Sequence, residues 1–223
     1  MGLDMIPMGK PKQGFEQRYH QIYRIIEGKE KQKISFIDRL KGKKLLSEDE
    51  LLKEWFDIQI ASYDTIKAPR VGRDKEANDW IKQKYRESDN KLSEENFIKD
   101  YEGYYVIELA KELDGIPVYA SMEQDRNVFR GEFMQDCIDL IGEDLVNEAW
   151  YTKLAGDALD YGNRLMSAAD KIAKDNKLQY LKEQRMPPET DENSIESKLH
   201  IVYSLARWLI FYGKNGHGYE AYF

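Results

Sequence analysis

The chain has 223 residues, and a chain of this length buries roughly 70% of its unfolded surface, so it can form a sizeable core. Aromatic residues make up 12% of the sequence, which excludes an intrinsically disordered protein. The single Cys excludes an intramolecular disulfide, and the net charge of −7 disfavours nucleic acid as a partner.

Two helices are predicted in the first sixty residues. Apolar residues recur at helical spacing across residues 15–26, and the run stops at Gly28, a residue suited to the left-handed position after a helix. The second helix begins at Ser47, whose hydroxyl forms a capping box with the Glu50 carboxylate. Its apolar face extends to Ile60.

The middle of the chain is predicted to contain a loop, two helices and one extended stretch. The apolar pattern lapses over residues 62–72, which predicts an ordered loop, and a surface helix follows over residues 74–87. Another helix is predicted over residues 93–113. The only strand-like stretch covers residues 116–119, and its proline confines it to a sheet edge or an extended connector.

Long helices are predicted in the C-terminal third. One helix covers residues 125–141, and residues 142–174 form one long helix because their apolar residues recur every three or four positions. The last helix covers residues 193–212 and ends at Gly213. Residues 214–223 are predicted to be a flexible end whose aromatic side chains dock on the body of the protein.

These elements predict an all-α fold: an irregular multi-helix bundle of about seven or eight helices, with two long C-terminal helices. No linker-like segment divides the chain, so residues 1–223 are predicted to form a single helical domain. The alternative is a loose subdivision near residue 92, where the balance of charge changes from basic to acidic. Residues 1–91 hold 20 basic against 16 acidic residues, and the remainder hold 14 against 25.

One basic cluster stands out in the N-terminal part, and it consists of Lys29, Lys31, Lys33, Arg39, Lys41, Lys43 and Lys44. We interpret it as a solvated linker with cations at a helix C-terminus, because charge runs are usually solvated. The alternative is a phosphate-binding patch. We do not expect nucleic acid to be a partner, because the acidity of the whole chain opposes a polyanion.

Four acidic residues form one stripe at the end of the predicted helix 125–141. Glu132, Asp136, Asp139 and Glu143 recur at i, i+4, i+7 and i+11, so they point within about 40° of one direction. Four carboxylates could hold a hard cation such as Mg²⁺. Apolar residues occupy the opposite side, so we favour a solvated face without a cofactor and keep a Mg²⁺ site as the alternative.

A second acidic pattern pairs Asp136 and Asp139 with Asp157 and Asp160. It resembles the paired acidic motifs of the all-α nucleoside triphosphate pyrophosphatases, and the resemblance implies a metal-dependent hydrolase. That family uses mostly Glu at these positions, and its two motifs face each other across a helical hairpin. A turn at Gly142 would leave Asp157 about 13 Å beyond the facing position, which argues against this alternative.

Polar residues on the most apolar helix are the best site candidates, because burying polar groups without partners is costly. Glu196, His200, Ser204 and Arg207 recur at i, i+4, i+8 and i+11. They form either the wet edge of the helix, with Glu196 and His200 as a local pair, or the lining of a cleft. In a cleft, Arg207 would bind an anion and His200 could transfer protons near neutral pH.

Two more residues carry groups of chemical interest. His217 is a candidate ligand-binding residue, because the glycines on both sides allow its backbone to approach a ligand closely. The interpretation we favour is a chain end that carries no site. Cys137 falls on an apolar helix face and is predicted to be a buried small hydrophobe. With three His and one Cys, a zinc site built from these residues is disfavoured.

The opening residues Met1-Gly2-Leu3-Asp4-Met5 resemble the start of a group of uncharacterised small bacterial and phage proteins, a resemblance that implies no activity. The chain does not open on a secretory signal, which predicts a cytoplasmic protein. Its longest apolar run, residues 199–212, is shorter than the roughly 20 residues of a membrane span, so no membrane association is predicted.

No motif in the sequence fixes a function. We favour a soluble protein that acts through protein partners or self-association. The alternative is a metal-dependent hydrolase similar to the nucleotide pyrophosphatases, or a protein that binds a small anion.

Overall fold

The computed structural model describes residues 2–33, 42, 44–89, 91–118 and 126–223. The α-helices are α1 (Glu16–Ile26), α2 (Glu48–Asp57), α3 (Ser62–Thr65), α4 (Lys75–Glu87), α5 (Glu94–Asp100), α6 (Ile138–Ile141), α7 (Glu143–Asn147), α8 (Ala155–Asn176) and α9 (Ile195–Lys214). The strands are β1 (Asp4–Pro7), β2 (Lys10–Pro11), β3 (Gln59–Ile60), β4 (Phe129–Arg130) and β5 (Tyr219–Tyr222). Short 3₁₀ helices cover Ile107–Leu109, Lys111–Leu113, Gly131–Cys137, Glu148–Trp150 and Gln179–Lys182. The chain is mostly helical, as predicted, but its small antiparallel sheets correct the all-α prediction.

The chain divides into two compact units. The small unit is Gly9–Ala61, and the large unit combines Met1–Met8 with Ser62–Phe223. Residue 92 lies inside the large unit, and the single-domain prediction stays a prediction. Part of the basic cluster, Arg39, Lys41 and Lys43, lies outside the described residues, as do Tyr119 and Asp125 at the ends of two predicted elements.

The small unit confirms its two predicted helices. The Ser47 hydroxyl accepts a hydrogen bond from the backbone N–H of Glu50, and the Glu50 carboxylate accepts one from the N–H of Ser47, which completes the predicted capping box. The rings of Tyr19 and Trp55 stack at 5.2 Å between α1 and α2. Helix α2 ends before β3, because the backbone there pairs with β2 across Lys10 and Ile60.

In the large unit, helices α8 and α9 form an antiparallel pair that approaches closely at two glycines. A Cβ added at Gly162 would lie 2.8 Å from the Leu209 Cβ and 3.1 Å from the Ile210 nitrogen. A Cβ added at Gly213 would lie 2.9 Å from the backbone nitrogen of Leu159. Gly213 therefore lies inside α9 and packs against α8, whereas the sequence predicted that it ends the helix.

The predicted helix over residues 142–174 is not continuous. Helix α7 and the 3₁₀ helix Glu148–Trp150 cover its first part, the backbone is extended at Tyr151 and Leu154, and helix α8 begins at Ala155. The cause is a long-range pairing, because the N–H and C=O groups of Lys153 bond to the C=O and N–H groups of Tyr219, each at 2.9 Å. Those groups are therefore unavailable to a helix.

The chain end is a strand, which corrects the prediction of a flexible tail. In the three-stranded antiparallel sheet, β1 lies between β4 and β5, with Met5 paired to Phe129 on one side and to Ala221 on the other. The side chains of Leu3 and Met5 are fully buried. The strand-like stretch 116–119 forms no strand over its described residues 116–118, so the edge-strand alternative is not observed there.

Two other predicted helices are shorter than expected. Helix α5 ends at Asp100, and Gly103 adopts a positive φ of 90°, so the chain turns instead of continuing to Leu113. The predicted helix over 125–141 is a 3₁₀ helix over Gly131–Cys137 followed by α6. No helix of the described residues is long and apolar enough to cross a membrane.

Candidate functional site

The polar stripe of α9 meets the backbone of the segment that precedes the helix. His200 is 4% exposed, and its Nε2 donates to the Gln184 carbonyl at 3.2 Å. Arg207 Nη2 donates to the same carbonyl at 2.9 Å. Glu196 forms no hydrogen bond or ion pair with any described residue, so the expected pair with His200 is not formed. The structure thus brings His200 and Arg207 together and leaves Glu196 apart.

The environment of His200 favours the neutral imidazole. Burial lowers the pKa of His200 below its usual value, and the positive charge of Arg207 lowers it further, although the Gln184 carbonyl raises it. A neutral ring that donates to a carbonyl is suited to fixing the backbone of the Gln184 segment. A ligand-binding role for Glu196, His200 and Arg207 stays a prediction.

His217 is fully buried in the large unit. Its Nδ1 donates to the Met8 carbonyl at 2.8 Å, and the Thr65 hydroxyl donates to its Nε2 at 2.9 Å. The ring also meets the edge or face of Tyr212 at 6.2 Å between centroids. This imidazole links the residue that follows β1, helix α3 and the C-terminal segment, which is a structural role that the flanking glycines did not reveal.

The acidic stripe does not form the geometry that an α-helix would give it. Glu132 and Asp136 lie on a 3₁₀ helix, and Gly142 adopts a positive φ of 86° before Glu143. Asp139 forms an ion pair with Lys198 at 2.9 Å. Within the described ranges, no group of three or more His, Cys, Asp or Glu side chains could hold a metal ion.

The second acidic pattern is divided among separate elements. Asp160 lies on α8 and pairs with Arg164 at 2.8 Å, while Asp157 is exposed on the same helix. Cys137 is buried, as predicted, and its Sγ lies 3.5 Å from the Lys198 carbonyl. Burial raises the pKa of Cys137 to about 12, so the thiol is protonated at neutral pH.

A cleft of about 650 Å³ opens on the large unit, and we call it the tyrosine cleft. It is lined by Tyr63, Asp64, Lys67, Ala68, Pro69, Arg70, Arg73, Asp74, Glu76, Tyr105, Leu109, Lys111 and Glu112. Its volume falls in the range of about 300–1,000 Å³ that is usual for ligand sites. None of the residues predicted from the sequence as site residues lines it.

Backbone pairing between two distant segments builds the tyrosine cleft. The N–H of Val71 donates to the Tyr104 carbonyl at 2.9 Å, and the N–H of Val106 donates to the Pro69 carbonyl at 2.8 Å. These bonds place Arg70 directly opposite Tyr105 in an antiparallel bridge. Side chains of directly opposed residues lie on the same face, so Arg70 and Tyr105 are neighbours.

Two tyrosines and an arginine form a preorganised group in the cleft. The rings of Tyr63 and Tyr105 stack at 4.1 Å between centroids with 21° between their planes. The Arg70 guanidinium lies 5.4 Å from the centre of the Tyr105 ring, and its Nε donates to the Gly103 carbonyl at 2.9 Å. Among the described residues, the Nη groups of Arg70 have no hydrogen-bond acceptor. The guanidinium is thus oriented while most of its donors stay available.

Charges of both signs surround this group. Lys67 pairs with Glu112 at 3.2 Å, and one Asp74 oxygen lies 3.9 Å from Arg73 Nε. Lys111 is exposed and forms no ion pair with the described residues. Arg70 and Lys111 are therefore two cations of the cleft that a ligand could pair with.

Sequence reasoning missed the tyrosine cleft because no short-range pattern marks it. One turn that shapes the cleft is at Lys67, which adopts a left-handed φ of 51°. It ends α3 in a Schellman motif, since the N–H of Ala68 donates to the Tyr63 carbonyl and the N–H of Lys67 to that of Asp64. Glycine is the usual residue there, and the lysine conceals the turn from a reading of the sequence.

A second depression, of about 790 Å³, lies on the small unit beside α1. Arg18 and Arg24 line it, and both guanidinium groups are already paired, with Glu54 and Glu30 respectively. Its exposed His20 has no acidic or metal-ligating neighbour among the residues that line the depression. The tyrosine cleft is therefore the stronger candidate.

The comparisons with known proteins add no relative from which a function could be transferred. No protein family, curated protein or solved structure matches this chain. The candidate site rests on the geometry of the tyrosine cleft alone.

Proposed function

We propose that the protein acts by binding a segment of a partner protein in the tyrosine cleft. The observation that supports this proposal is the group formed by Tyr63, Tyr105 and Arg70, in which rings and guanidinium are held in place before any ligand arrives. Tyrosine and arginine are, with tryptophan, enriched among the residues that dominate binding energy at protein interfaces. Preorganised side chains lose little conformational entropy on binding.

The surroundings of that group also suit a protein segment. A typical interface has an aromatic centre and a polar, partly solvated rim. The cleft has this arrangement, with Lys67, Glu112 and Lys111 around the stacked tyrosines. Partner binding is also favoured over catalysis because His200, the candidate proton-transfer group, and His217, a candidate ligand-binding residue, are occupied by hydrogen bonds inside the protein.

Selection from a random decapeptide library on the immobilised protein tests the proposal. We expect enriched peptides to lose at least about tenfold in affinity for a Tyr63→Ala variant, because a stacked aromatic anchor contributes about 1.4 kcal/mol or more. Tyr180→Ala is the matched control, since Tyr180 is exposed on a 3₁₀ helix and does not line the cleft. No enrichment, or peptides that bind Tyr63→Ala and the parent protein equally well, would contradict the proposal.

Binding of a small anion is a second candidate for the same cleft, and the available Nη donors of Arg70 favour it. Thermal unfolding with phosphate and a panel of nucleotides, with and without Mg²⁺, tests it, because a ligand of the folded state raises the midpoint. An increase in the midpoint that is lost in Arg70→Gln, and retained in the control variant Arg86→Gln, supports an anion site. A Mg²⁺-dependent increase that survives Arg70→Gln would instead revive the hydrolase alternative.

A further inference from the structure

The end of helix α9 carries a dipeptide that can react with itself. Asn215 is the one asparagine in the sequence that a glycine follows. In such a pair the backbone nitrogen of the glycine can attack the side-chain carbonyl carbon of the asparagine, because glycine has no side chain that blocks a close approach. The pair directly precedes the buried His217, so a reactive dipeptide opens the segment that leads into β5.

The attacking nitrogen of this pair is occupied in the folded protein, because α9 ends in a Schellman motif. Gly216 adopts a left-handed φ of 87°, and its N–H donates to the Gly213 carbonyl at 3.1 Å. The N–H of His217 donates to the Tyr212 carbonyl at 2.9 Å, which is the second hydrogen bond of the motif. The Gly216 nitrogen is therefore engaged in a hydrogen bond as long as the helix end is intact.

The side chain of Asn215 is fixed as well. Its Nδ2 donates to the Phe211 carbonyl, one turn earlier in the helix, at 2.9 Å. The backbone N–H of Asn215 bonds to the same carbonyl at 3.2 Å. The side chain therefore points back along α9, whereas the attack requires its carbonyl carbon to meet the nitrogen of the next residue.

Contacts beyond the pair keep the helix end closed. His217 donates to the Met8 carbonyl and accepts from the Thr65 hydroxyl. The carbonyl of the next residue, Gly218, accepts from the N–H of Met8 at 3.0 Å, and β5 then pairs with β1. With the helix on one side and these contacts on the other, the pair can rotate into a reactive geometry only when residues 215–222, which we call the terminal segment, detach from the large unit.

We propose that Asn215 is a site of spontaneous deamidation that reacts only when the terminal segment opens. In the open state the Gly216 nitrogen attacks Cγ of Asn215 and forms a new C–N bond. The side-chain nitrogen leaves as ammonia with the proton of the Gly216 amide, and a succinimide ring remains. Water then opens the ring at either carbonyl, which gives an aspartate or an isoaspartate at position 215.

The isoaspartate product does not rebuild the helix end. Its backbone contains one additional methylene group, so the N–H groups of the next two residues no longer align with the Gly213 and Tyr212 carbonyls. Either product also places a negative charge at the C-terminus of α9, where the helix dipole disfavours it. The reaction thus converts a transient opening of the terminal segment into a lasting one.

Mass spectrometry after timed incubation at neutral pH measures the reaction in the full-length chain. Cleavage after glutamate releases residues 197–220, in which Asn215 is the only side chain with an amide, so conversion of this amide to a carboxyl is read from the mass of one peptide. We expect deamidation of the native protein to be at least about 100-fold slower than in guanidinium chloride, because the open state is rarely populated under native conditions.

Two variants separate opening of the terminal segment from unfolding elsewhere. Thr65→Val removes the hydroxyl that donates to His217, so native deamidation should accelerate about fivefold or more. Ser47→Ala is the matched control, because it removes the capping hydroxyl of α2 in the small unit. Its native deamidation rate should stay within about twofold of the parent rate, because openings of different parts of a protein are separate events.

A third variant separates the charge of the product from its altered backbone. Asn215→Asp carries the new charge without the additional methylene group. Hydrogen exchange followed by mass spectrometry should find the β1 and β5 amides protected in this variant and unprotected in the purified isoaspartate form, because only the latter loses the Schellman motif.

Four results would overturn the inference. The first is an Asn215 amide that stays intact in guanidinium chloride, and the second is native deamidation as fast as in the denaturant. The third is a deamidation rate that Thr65→Val leaves unchanged, or that Ser47→Ala raises equally. The fourth is an isoaspartate form whose β1 and β5 amides keep their native protection.

Discussion

The close approach of α8 and α9 at Gly213 gives a quantitative prediction for Gly213→Ala. The new methyl carbon would lie 2.9 Å from the Leu159 nitrogen and 3.0 Å from the Ala155 carbonyl oxygen. Both are backbone atoms, so no side-chain rotation can relieve the contact. Overpacking of this kind costs about 1–3 kcal/mol, and the better helix propensity of alanine returns about 0.5–1 kcal/mol. The two ranges leave a net destabilisation of at most about 2.5 kcal/mol, and their midpoints give the expected value of about 1.3 kcal/mol.

Gly156→Ala is the matched control on the same helix pair. Gly156 lies in the first turn of α8, and an added Cβ would meet no atom within 4 Å. This variant should be unchanged or more stable by up to about 0.5–1 kcal/mol, since only the helix propensity changes.

Urea unfolding followed by far-ultraviolet circular dichroism separates the two variants. With an m-value of about 2–3 kcal/mol/M, a loss of 1.5 kcal/mol lowers the midpoint by about 0.5–0.8 M. A Gly213→Ala protein as stable as the parent, at an unchanged m-value, would refute the helix spacing described for α8 and α9.

Three further changes probe other parts of the large unit. The Ser204 hydroxyl is buried and has no hydrogen-bond partner among the described residues. Ser204→Ala should therefore raise the free energy of unfolding, measured by urea titration, by about 0.5–1.5 kcal/mol. A loss of stability would mean that the hydroxyl does form a hydrogen bond in the folded protein. His217→Ala removes the donor to the Met8 carbonyl and leaves a cavity, so we expect a loss of about 3–5 kcal/mol, measured in the same way; a loss below 1 kcal/mol would contradict the linking role of the imidazole. A hydrogen bond from Arg164 lowers the pKa of Glu148 below its usual 4.5. A carboxyl pKa that is lowered in the folded state stabilises the fold above pH 4.5, and this contribution is lost as the pH falls through the pKa of the folded state. The free energy of unfolding of Glu148→Gln should therefore fall less steeply than that of the parent protein below pH 4.5. An unchanged dependence on pH would argue against the ion pair with Arg164.

Local chemistry made several elements predictable. The capping box at Ser47 and Glu50 lies within four residues, and the helical spacing of apolar residues marks α1, α4 and α9, so these helices could be recognised from the sequence. The burial of Cys137 followed from the same kind of short-range pattern. In each case the interacting groups are a few residues apart.

The sheet and the tyrosine cleft could not be predicted in this way. Met5 pairs with Phe129 and Ala221, and Arg70 pairs with Tyr105, so the partners are separated by tens to hundreds of positions. Strand residues such as these carry no strong alternation of their own, and only the sheet that they complete gives them their conformation. The cleft inherits this dependence, because its two walls meet through that backbone pairing.

The sequence by itself determined a mostly helical chain, the approximate positions of its strongest helices and the polar stripe of α9. Tertiary structure decided what those residues do. It directed His200 and Arg207 to the Gln184 carbonyl, buried His217 between Met8 and Thr65, and interrupted the predicted helix 142–174 at its contact with β5. The physical reason is that a helix can be encoded by neighbours along the chain, whereas a buried polar group or a cleft is defined by partners that only folding brings within reach.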